Sequence, residues 1–202
     1  MIELSLENYN RFAKNKGYSP CVEHNGAIYG FWLVGRWYNV TKGGKYYYGA
    51  YPPTYLARIH ALFSITDKDL FQQPYKILHL FSGTVKGNGK NIITLDIKSE
   101  LNPDVVGDAQ KLSKYFSEDY FDLIIADPPY EDNYIKYGTK KFSRKKVLGE
   151  CYKVLKKDGY LVWLDTILIQ WSKKFWDLKG IIGLCQSTNH RIRAVAILRC
   201  KK

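Results

Sequence analysis

Short apolar runs of strand length recur from Lys76 onward, and segments of helical or turn character separate them. Four runs are continuous enough to be strands that are buried on both faces of a sheet, namely 76–83, 91–97, 121–129 and 160–166. A shorter run, 104–106, lies between the second and the third of these. Strands that alternate with helical segments are typical of a parallel sheet, so the sequence predicts an α/β domain.

The C-terminal part of the chain extends this plan. An apolar stripe at helical spacing precedes the run 160–166, ends at Gly159 and consists of Val147, Leu148, Cys151, Val154 and Leu155. The segment 180–200 indicates two strands joined by a polar turn near Asn189 and His190. We therefore expect a doubly wound, seven-stranded, mostly parallel sheet that ends in a C-terminal antiparallel hairpin.

The first 75 residues differ from the rest, and we interpret them as an N-terminal extension to a main domain of residues 76–202. An aromatic and β-branched stretch at 27–40, a turn signal at 41–45 and a second aromatic stretch at 46–51 predict a β-hairpin. Thr54 is the expected N-cap of a following short helix. Covering a bound ligand and contacting a substrate are alternative roles for this extension.

The charge of the chain favours a polyanionic partner. The 202 residues include 31 Lys and Arg but only 19 Asp and Glu, which gives a net charge of +12. Nucleic acid is the simplest partner for such a field. No run is long enough to span a membrane, and the four cysteines have no paired spacing, so we expect a cytoplasmic protein without disulfides or a bound metal.

The unusual residues of the main domain follow the predicted strands. In an open doubly wound sheet, ligands bind at the carboxyl ends of the strands near the switch point. Glycine there lets the backbone approach a ligand closely, and a carboxylate can accept hydrogen bonds from ribose hydroxyls. The residues at these ends are Phe81, Ser82, Gly83 and Thr84 after the first strand, Asp96 after the second, Asp108 and Ala109 after the third, and Asp127, Pro128, Pro129 and Tyr130 after the fourth.

In order and spacing, "LHLFSGT", "TLDI", "GDAQKL" and "FDLIIADPPY" resemble the successive motifs of class I S-adenosylmethionine-dependent amino-methyltransferases, which modify exocyclic amines of nucleic-acid bases. The resemblance covers about residues 76–200. The whole chain is similar to small stand-alone phage DNA methyltransferases of the adenine-N6 type, down to "YPPTYLARIHALF". One departure is Val85, where the family's first motif commonly has a second glycine.

The resemblance implies a Rossmann-like methyltransferase fold, S-adenosylmethionine as cofactor and a role for each strand end. Phe81, Ser82, Gly83 and Thr84 would surround the methionine end of the cofactor. Asp96 would hold its ribose hydroxyls, and Asp108 with Ala109 would contact its adenine. His79, within the first strand, is expected to be a core residue rather than a catalyst.

The turn from Asp127 to Tyr130 fits the chemistry of amine methylation. The exocyclic amine of adenine is a poor nucleophile because its lone pair is delocalised into the ring. A carboxylate at Asp127 and the backbone carbonyl of Pro128 would hold its two N–H groups, and Pro129 would keep the turn rigid. The base must leave the helical stack to be reached, and the ring of Tyr130 would stack on it.

Basic and aromatic residues are interleaved directly after this turn, which is typical of a nucleic-acid contact. A second basic group lies in the predicted C-terminal hairpin. The expected nucleic-acid-binding residues are Lys136, Lys140, Lys141 and Arg144 in the first group, and Arg191 and Arg193 in the second. No sizeable recognition insertion flanks the turn, so either the first 75 residues recognise the target, or specificity is slight, or a separate partner supplies it.

Several readings stay open beside adenine-N6 methylation of DNA. They are cytosine-N4 methylation of DNA, in which Ser more often replaces Asp127, and methylation of RNA at guanine N2 or adenine N6. The alternative from a different functional class is a module that binds nucleic acid without catalysing a reaction. Cytosine-C5 methylation is disfavoured, since its nucleophilic cysteine would have to follow the fourth strand, whereas Pro20-Cys21 lies far upstream.

Overall fold

The computed structural model describes residues 2–35, 51–65, 74–130, 133–136, 141–187 and 190–202. Its helices are α1 (Leu6–Lys16), α2 (Tyr55–Leu62), α3 (Asn133–Lys136) and α4 (Arg144–Val154). Its strands are β1 (Cys21–His24), β2 (Ala27–Val34), β3 (Ile77–Leu80), β4 (Ile92–Asp96), β5 (Val105–Val106), β6 (Phe121–Ala126), β7 (Leu155–Asp165), β8 (Trp176–Gln186) and β9 (Ile192–Cys200). Two 3₁₀ helices span Ser99–Leu101 and Ala109–Lys114.

All described strands belong to one mixed sheet in the order β1-β2-β8-β9-β7-β6-β3-β4-β5. The neighbours from β7 through β6, β3 and β4 to β5 run parallel, whereas β9 pairs antiparallel with both β7 and β8. The expected doubly wound, mostly parallel sheet with a C-terminal antiparallel hairpin is therefore confirmed. The predicted number of seven strands is wrong, because β1 and β2 extend the same sheet to nine.

These two additional strands form a hairpin at the edge of the sheet. The turn Asn25-Gly26 has positive φ angles of 50° and 72° and joins β1 to β2. The other edge of β2 pairs parallel with β8, from Ile28 opposite Gly180 to Val34 opposite Gln186. Sequence analysis placed a strand at 27–40, but its described antiparallel partner is β1, which precedes it. The predicted turn at 41–45 and nearly all of the returning stretch 46–51 lie outside the described residues.

The sheet has an apolar layer on each face. Neighbouring strand residues point to opposite faces, so Ile77 packs in one layer and Leu78 in the other. The first layer contains α1 and α2, whose buried residues include Tyr9 and Tyr55. The second contains α4 and the 3₁₀ helix Ala109–Lys114. The division at residue 76 stays a prediction; the sheet itself includes strands from both sides of that position.

The segment before the strand predicted at 160–166 differs from the expectation. The apolar stripe from Val147 to Val154 lies on α4 as predicted, but the helix ends there, and Leu155 already begins β7. The predicted helix end at Gly159 is wrong because Gly159 lies within this strand, beside a register shift against β6. A Cβ atom at Gly159 would lie 3.1 Å from the backbone oxygen of Asp122.

Thr54 precedes α2 as predicted, but it has a positive φ of 64° and its side chain makes no capping hydrogen bond to the helix backbone. None of the described helices is long and apolar enough to cross a membrane.

Candidate active site at the switch point of the sheet

The strand order reverses between β3 and β6. From β3 the chain continues outward to β4 and β5, whereas β6 lies on the other side of β3 and leads to β7. Crevices at such a point bind ligands in doubly wound folds. The segments that follow β3 and β6 are 81–84 and 127–130, so the fold brings two of the predicted sets of site residues together.

The loop after β3 is held against β4 by backbone hydrogen bonds. Phe81 and Gly83 have positive φ angles of 57° and 56°, which fold the chain back tightly. The N–H of Ser82 donates to the carbonyl of Leu95 over 3.1 Å, and the N–H of Val85 donates to the carbonyl of Ser82 over 3.1 Å. The Val85 side chain packs partly against the apolar layer that contains α1 and α2. A glycine is therefore not required at position 85 for this turn to form.

Asp96 connects this loop to the end of β4. Its Oδ2 accepts from the N–H of Gly83 over 3.0 Å, and its Oδ1 accepts from the N–H of Lys98 over 3.0 Å. The hydroxyl of Ser82 is buried and has no hydrogen-bond partner in the described part of the chain. A tight loop with an unpaired buried hydroxyl, next to a half-buried carboxylate, suits a ligand with a polar end and a ribose.

Asp108 and Ala109 follow β5, close to the next edge of the crevice. The Oδ1 of Asp108 accepts from the N–H of Gln110 over 2.9 Å and thereby caps the 3₁₀ helix that begins at Ala109. The hydroxyl of Tyr115 accepts from the N–H of Asp108 over 3.2 Å. A Cβ atom at Gly107 would lie 2.7 Å from the Tyr115 ring, so this packing requires glycine. A contact of Asp108 with a cofactor stays a prediction.

Asp127 follows the end of β6 directly and is half-buried. The hydroxyl of Tyr130 donates a hydrogen bond to its Oδ1. Burial raises the pKa of Asp127 to about 7; the Tyr130 hydrogen bond and Arg193 oppose this rise, while nearby Asp165 adds to it. The carboxyl group therefore changes its charge near neutral pH, which is typical of functional sites. Pro128 is buried and Pro129 half-buried in the same turn.

Arg193 lies over the ring of Tyr130. Its guanidinium carbon is 5.1 Å from the ring centroid, and the residue is 9% exposed. Because β9 is antiparallel to β7, the first residues of β9 lie at the edge where the parallel strands end. Arg193 was predicted as a nucleic-acid contact, which stays a prediction; in the structure it contacts the ring of Tyr130. Arg191, two residues earlier, is exposed.

Asp165, at the end of β7, is a site neighbour that the sequence analysis missed. Its side chain is fully buried and forms a bidentate ion pair with Arg144, with distances of 2.7 and 3.2 Å. Trp163 Nε1 and the N–H of Thr166 also donate to this carboxylate, over 3.2 and 2.8 Å. The guanidinium of Arg144 is therefore engaged within the protein. A carboxylate inside the apolar run 160–166 was the signal that could have identified Asp165.

Tyr51 and Tyr55 bring the N-terminal part of the chain to the same place, and neither was predicted as a site residue. The Tyr51 hydroxyl donates to the carbonyl of Ile125 over 3.0 Å, two residues before Asp127. Its ring stacks on Tyr55 at 5.5 Å between centroids and contacts His79 edge-on at 5.8 Å. Burial raises the pKa of both tyrosines well above the usual value, and the charge of Asp127 adds to the rise.

His79 is a buried core residue of β3, and burial lowers its pKa to about 3, with His60 adding to the effect. Its imidazole is therefore neutral at pH 7.

The other predicted nucleic-acid contacts are described only in part. Lys141 is exposed. Lys136 ends α3, but its side chain lies outside the described part of the structure, and so does all of Lys140. Among the described residues, no group of three or more His, Cys, Asp or Glu side chains could hold a metal ion.

Comparisons with protein-family models and with curated proteins found no match. Among solved structures, the chain is similar to TrmN from Thermus thermophilus, with 16% identity, a TM-score of 0.44 and coverage of 62% of this chain but 44% of that one. It is also similar to a TehB-like S-adenosylmethionine-dependent methyltransferase from Corynebacterium glutamicum, with 17% identity, a TM-score of 0.43 and coverage of 72% and 95%.

A third similar structure is the N-methyltransferase NodS from Bradyrhizobium japonicum in complex with S-adenosylhomocysteine, with 10% identity, a TM-score of 0.45 and coverage of 63% and 79%. At these identities and TM-scores the likenesses are distant. The fold of this chain is defined by its own strand order and register.

Proposed function

We propose that this protein is an S-adenosylmethionine-dependent methyltransferase that acts on the exocyclic amine of a nucleic-acid base, with N6 of adenine in DNA as the favoured target. The observation that carries the proposal is the Asp127-Pro128-Pro129-Tyr130 turn, which follows β6 directly at the switch point. Asp127 is half-buried, and the hydroxyl of Tyr130 donates a hydrogen bond to its carboxylate.

Two acceptors of this turn would hold the amine. Tyr130 donates to Oδ1 of Asp127, and Oδ2 would accept one amine N–H. The carbonyl of Pro128 would accept the second N–H. Acceptors fixed before the reaction stabilise the transition state without reorganisation, and the two prolines restrict the turn. The ionised carboxylate is the better acceptor, so the active form of Asp127 dominates above pH 7.

Tyr130 would stack on the extruded base. Arg193 approaches the ring at 5.1 Å, so the base would occupy the opposite face of the ring. Stacking of a base on an aromatic side chain contributes about 1–3 kcal/mol. This contribution helps to offset the cost of unstacking the base from its neighbours.

The loop after β3 and the end of β4 have the donor set that the cofactor needs. The unpaired hydroxyl of Ser82, with Phe81, Gly83 and Thr84, would hold the methionine end, and Asp96 would accept from the ribose hydroxyls. Asp108 and Ala109 would contact the adenine. When bound, the cofactor supplies an activated methyl group on a sulfonium. The role of the chain is to align the amine with that group and to exclude water.

The charge of the protein supports a nucleic-acid substrate. The net charge is +12, and Lys141 and Arg191 are exposed beside the site. Phosphate contacts of this kind add affinity that depends strongly on salt. Lys136, Lys140, Arg144 and Arg193 complete the predicted set, with Arg144 and Arg193 acting through Asp165 and Tyr130 rather than as free cations.

The test is a nucleoside analysis after incubation with radiolabelled S-adenosylmethionine and unmethylated DNA or RNA in parallel. We expect label in N6-methyldeoxyadenosine. Label in N4-methyldeoxycytidine, in N2-methylguanosine or in RNA adenosine would replace the favoured target by one of the alternatives. Absence of label in every nucleic acid, with cofactor binding intact, would support a non-catalytic module.

The matched variant is Asp127→Ala, which should lower transfer by at least about a hundredfold because it removes a preorganised acceptor. Cofactor affinity should change little. Unchanged transfer in this variant would contradict the role of Asp127.

A further inference from the structure

The connection between β7 and β8 contains no helix in a place where this type of fold usually has one. Both strands pair antiparallel with β9, so they run parallel to each other. Parallel strands are usually joined by a helix that packs on the sheet. Residues 166–175, all within the described part of the chain, instead form turns and irregular structure between Asp165 and Trp176. The face of α4 that such a helix would cover therefore borders a groove.

This groove has a volume of about 740 Å³ and lies between α4 and the connection. Its walls include the aromatic side chains Tyr152, Trp171 and Phe175. Tyr152 and Phe175 contact each other edge-on at 5.1 Å, and Phe175 keeps 37% of its surface exposed. Ile167 is 55% exposed at the same wall. The volume falls within the range of about 300–1,000 Å³ that is usual for ligand sites.

The charges around the groove are positive. Its lining includes Arg144 and Lys145 and no Asp or Glu. Arg144 is balanced by Asp165, but Lys145 is exposed, and so are Lys173 and Lys174 on the connection. None of these three lysines forms an ion pair with a carboxylate within the described ranges. Aromatic walls can stack on bases, and lysines without a described carboxylate partner can bind phosphates. The groove therefore suits single-stranded nucleic acid.

The groove begins beside the candidate active site. Arg144 lines the groove and binds Asp165, the carboxylate that ends β7 at the catalytic edge of the sheet. From Arg144 to Tyr152, α4 extends for about 12 Å along the groove, since a helix rises about 1.5 Å per residue.

We propose that this groove binds single-stranded nucleic acid next to the target base, with bases against Trp171 and Phe175 and phosphates near Lys145. The proposal rests on the nucleic-acid substrate proposed above and extends it to a second surface. An apolar helix of a protein, including a second copy of this chain, is the competing occupant. The uncompensated lysines favour the nucleic acid, because such a helix would bury their charge without a partner.

The test measures binding of a fluorescent 12-nucleotide single-stranded DNA by anisotropy at several salt concentrations, without cofactor. Trp171→Leu should weaken binding by about five- to a hundredfold through the loss of stacking. Lys145→Gln should lower the slope of log K against log salt by about 0.7, the value for one phosphate contact on a single strand. The control is Lys90→Gln, an exposed lysine before β4 at the opposite edge of the sheet, which should change neither quantity.

Circular dichroism and thermal melting would show that the variants are folded, and Phe175→Leu replaces Trp171→Leu if the latter is not. Folded groove variants that bind like the wild type would overturn the proposal, and so would a wild-type protein that does not bind the DNA. A dimer that becomes monomeric in Trp171→Leu, with unchanged DNA binding, would assign the groove to a second copy. Failure of the methylation assay would instead contradict the proposed function, because the binding assay requires no transfer.

Discussion

The loop after β3 and the turn after β6 are neighbours at the switch point, but they are stabilised in opposite ways. In the loop, the N–H groups of Ser82, Gly83 and Val85 donate to acceptors in the loop or in β4. The turn has two prolines and, within the described part of the chain, no such network, and its half-buried Asp127 accepts from the side-chain hydroxyl of Tyr130. The loop gains its shape from local backbone bonds, whereas the turn keeps a carboxylate in an environment that disfavours its charge.

The two segments therefore contain two kinds of candidate site residue: those held by backbone hydrogen bonds, and a carboxylate with a raised pKa. A backbone-bonded loop is stable by itself and can bind a ligand in a preformed shape. A carboxylate with a raised pKa lowers the stability of the folded state when it is ionised. Such groups cluster at functional sites, where a charge or a proton is needed for the reaction. Substitutions in the loop should therefore affect ligand affinity and stability together, while substitutions in the turn should separate activity from stability.

The largest expected effect is the pH dependence of methyl transfer. Because the pKa of Asp127 is about 7, the fraction of ionised carboxylate falls about tenfold per pH unit below that value. We expect transfer at saturating cofactor to rise about fiftyfold from pH 5 to pH 7 and to level off above pH 8.

The measurement is the initial rate across this range, with cofactor affinity determined at each pH as the control. A rate that stays constant between pH 5 and pH 8, at constant affinity, would mean that the ionised form of Asp127 is not the active one.

Asp96→Asn tests the loop side of the comparison. The carboxylate accepts from Gly83 and Lys98, and the amide of Asn can replace only one of these acceptors. The proposed hydrogen bonds from the ribose hydroxyls of the cofactor to the Asp96 carboxylate would also be weakened. Hydrogen bonds to charged groups contribute about 1.5–3 kcal/mol, so we expect cofactor affinity to fall by about ten- to a hundredfold. Equilibrium binding of S-adenosylhomocysteine measures this change.

Asp104→Asn is the matched control. Its Oδ2 accepts from the N–H and the hydroxyl of Thr94 over 2.9 and 2.8 Å, outside the predicted cofactor site. Stability should fall in both variants, but affinity only in Asp96→Asn. Equal affinities in the two variants would remove Asp96 from the predicted cofactor contacts.

Asp127→Asn should stabilise the protein at neutral pH. The pKa of this carboxyl is about 7 in the folded state and 3.8 ordinarily, so the wild type loses stability as pH rises from about 4 to about 7. The amide has no charge to bury and avoids that loss. We expect the variant to be more stable by about 1–3 kcal/mol at pH 8 and to differ little at pH 4. Urea unfolding at both values measures the difference.

Asp122→Asn, in β6 just before the turn, should instead lower the free energy of unfolding. Its carboxylate binds Lys156 Nζ over 2.9 and 2.8 Å and the N–H of Lys76 over 2.8 Å, so the substitution breaks an ion pair. If Asp127→Asn were destabilising like this control, Asp127 would belong with the structural carboxylates rather than with the catalytic ones.

The sequence predicted the parts of the site that depend on local patterns. Apolar runs identified the strands, and two prolines fixed where β6 stops and the turn begins. The helix α1 was missed although local signals exist, since Ser5 accepts from the N–H of Asn8 and Gly17 has a positive φ of 67°. Those residues lie in a polar stretch whose apolar positions are few.

The contacts that could not be predicted join residues far apart in the chain. Pairing of β2 with β8 joins Ile28 to Gly180, and nothing in either local pattern selects that partner. The same holds for the ion pair between Arg144 and Asp165, because periodicity shows which residues are buried but not which neighbours they meet. Such contacts join Arg144 to Asp165 and Arg193 to Tyr130, while the predicted binding of nucleic acid by these two arginines stays a prediction.

The smallest expected effect is that of a substitution at Tyr51. This residue of the N-terminal part of the chain contacts β6 just before the turn Asp127–Tyr130. Tyr51→Phe removes the hydrogen bond to the carbonyl of Ile125 and should lower stability by about 1 kcal/mol. Tyr9→Phe removes a similar bond, to the carbonyl of Ser19 over 2.9 Å, away from the site. If the turn depends on this long-range support, Tyr51→Phe should also reduce the transfer rate several-fold at unchanged cofactor affinity, whereas Tyr9→Phe should alter stability alone. Equal transfer rates in both variants, at equal loss of stability, would show that the two prolines suffice to position Asp127.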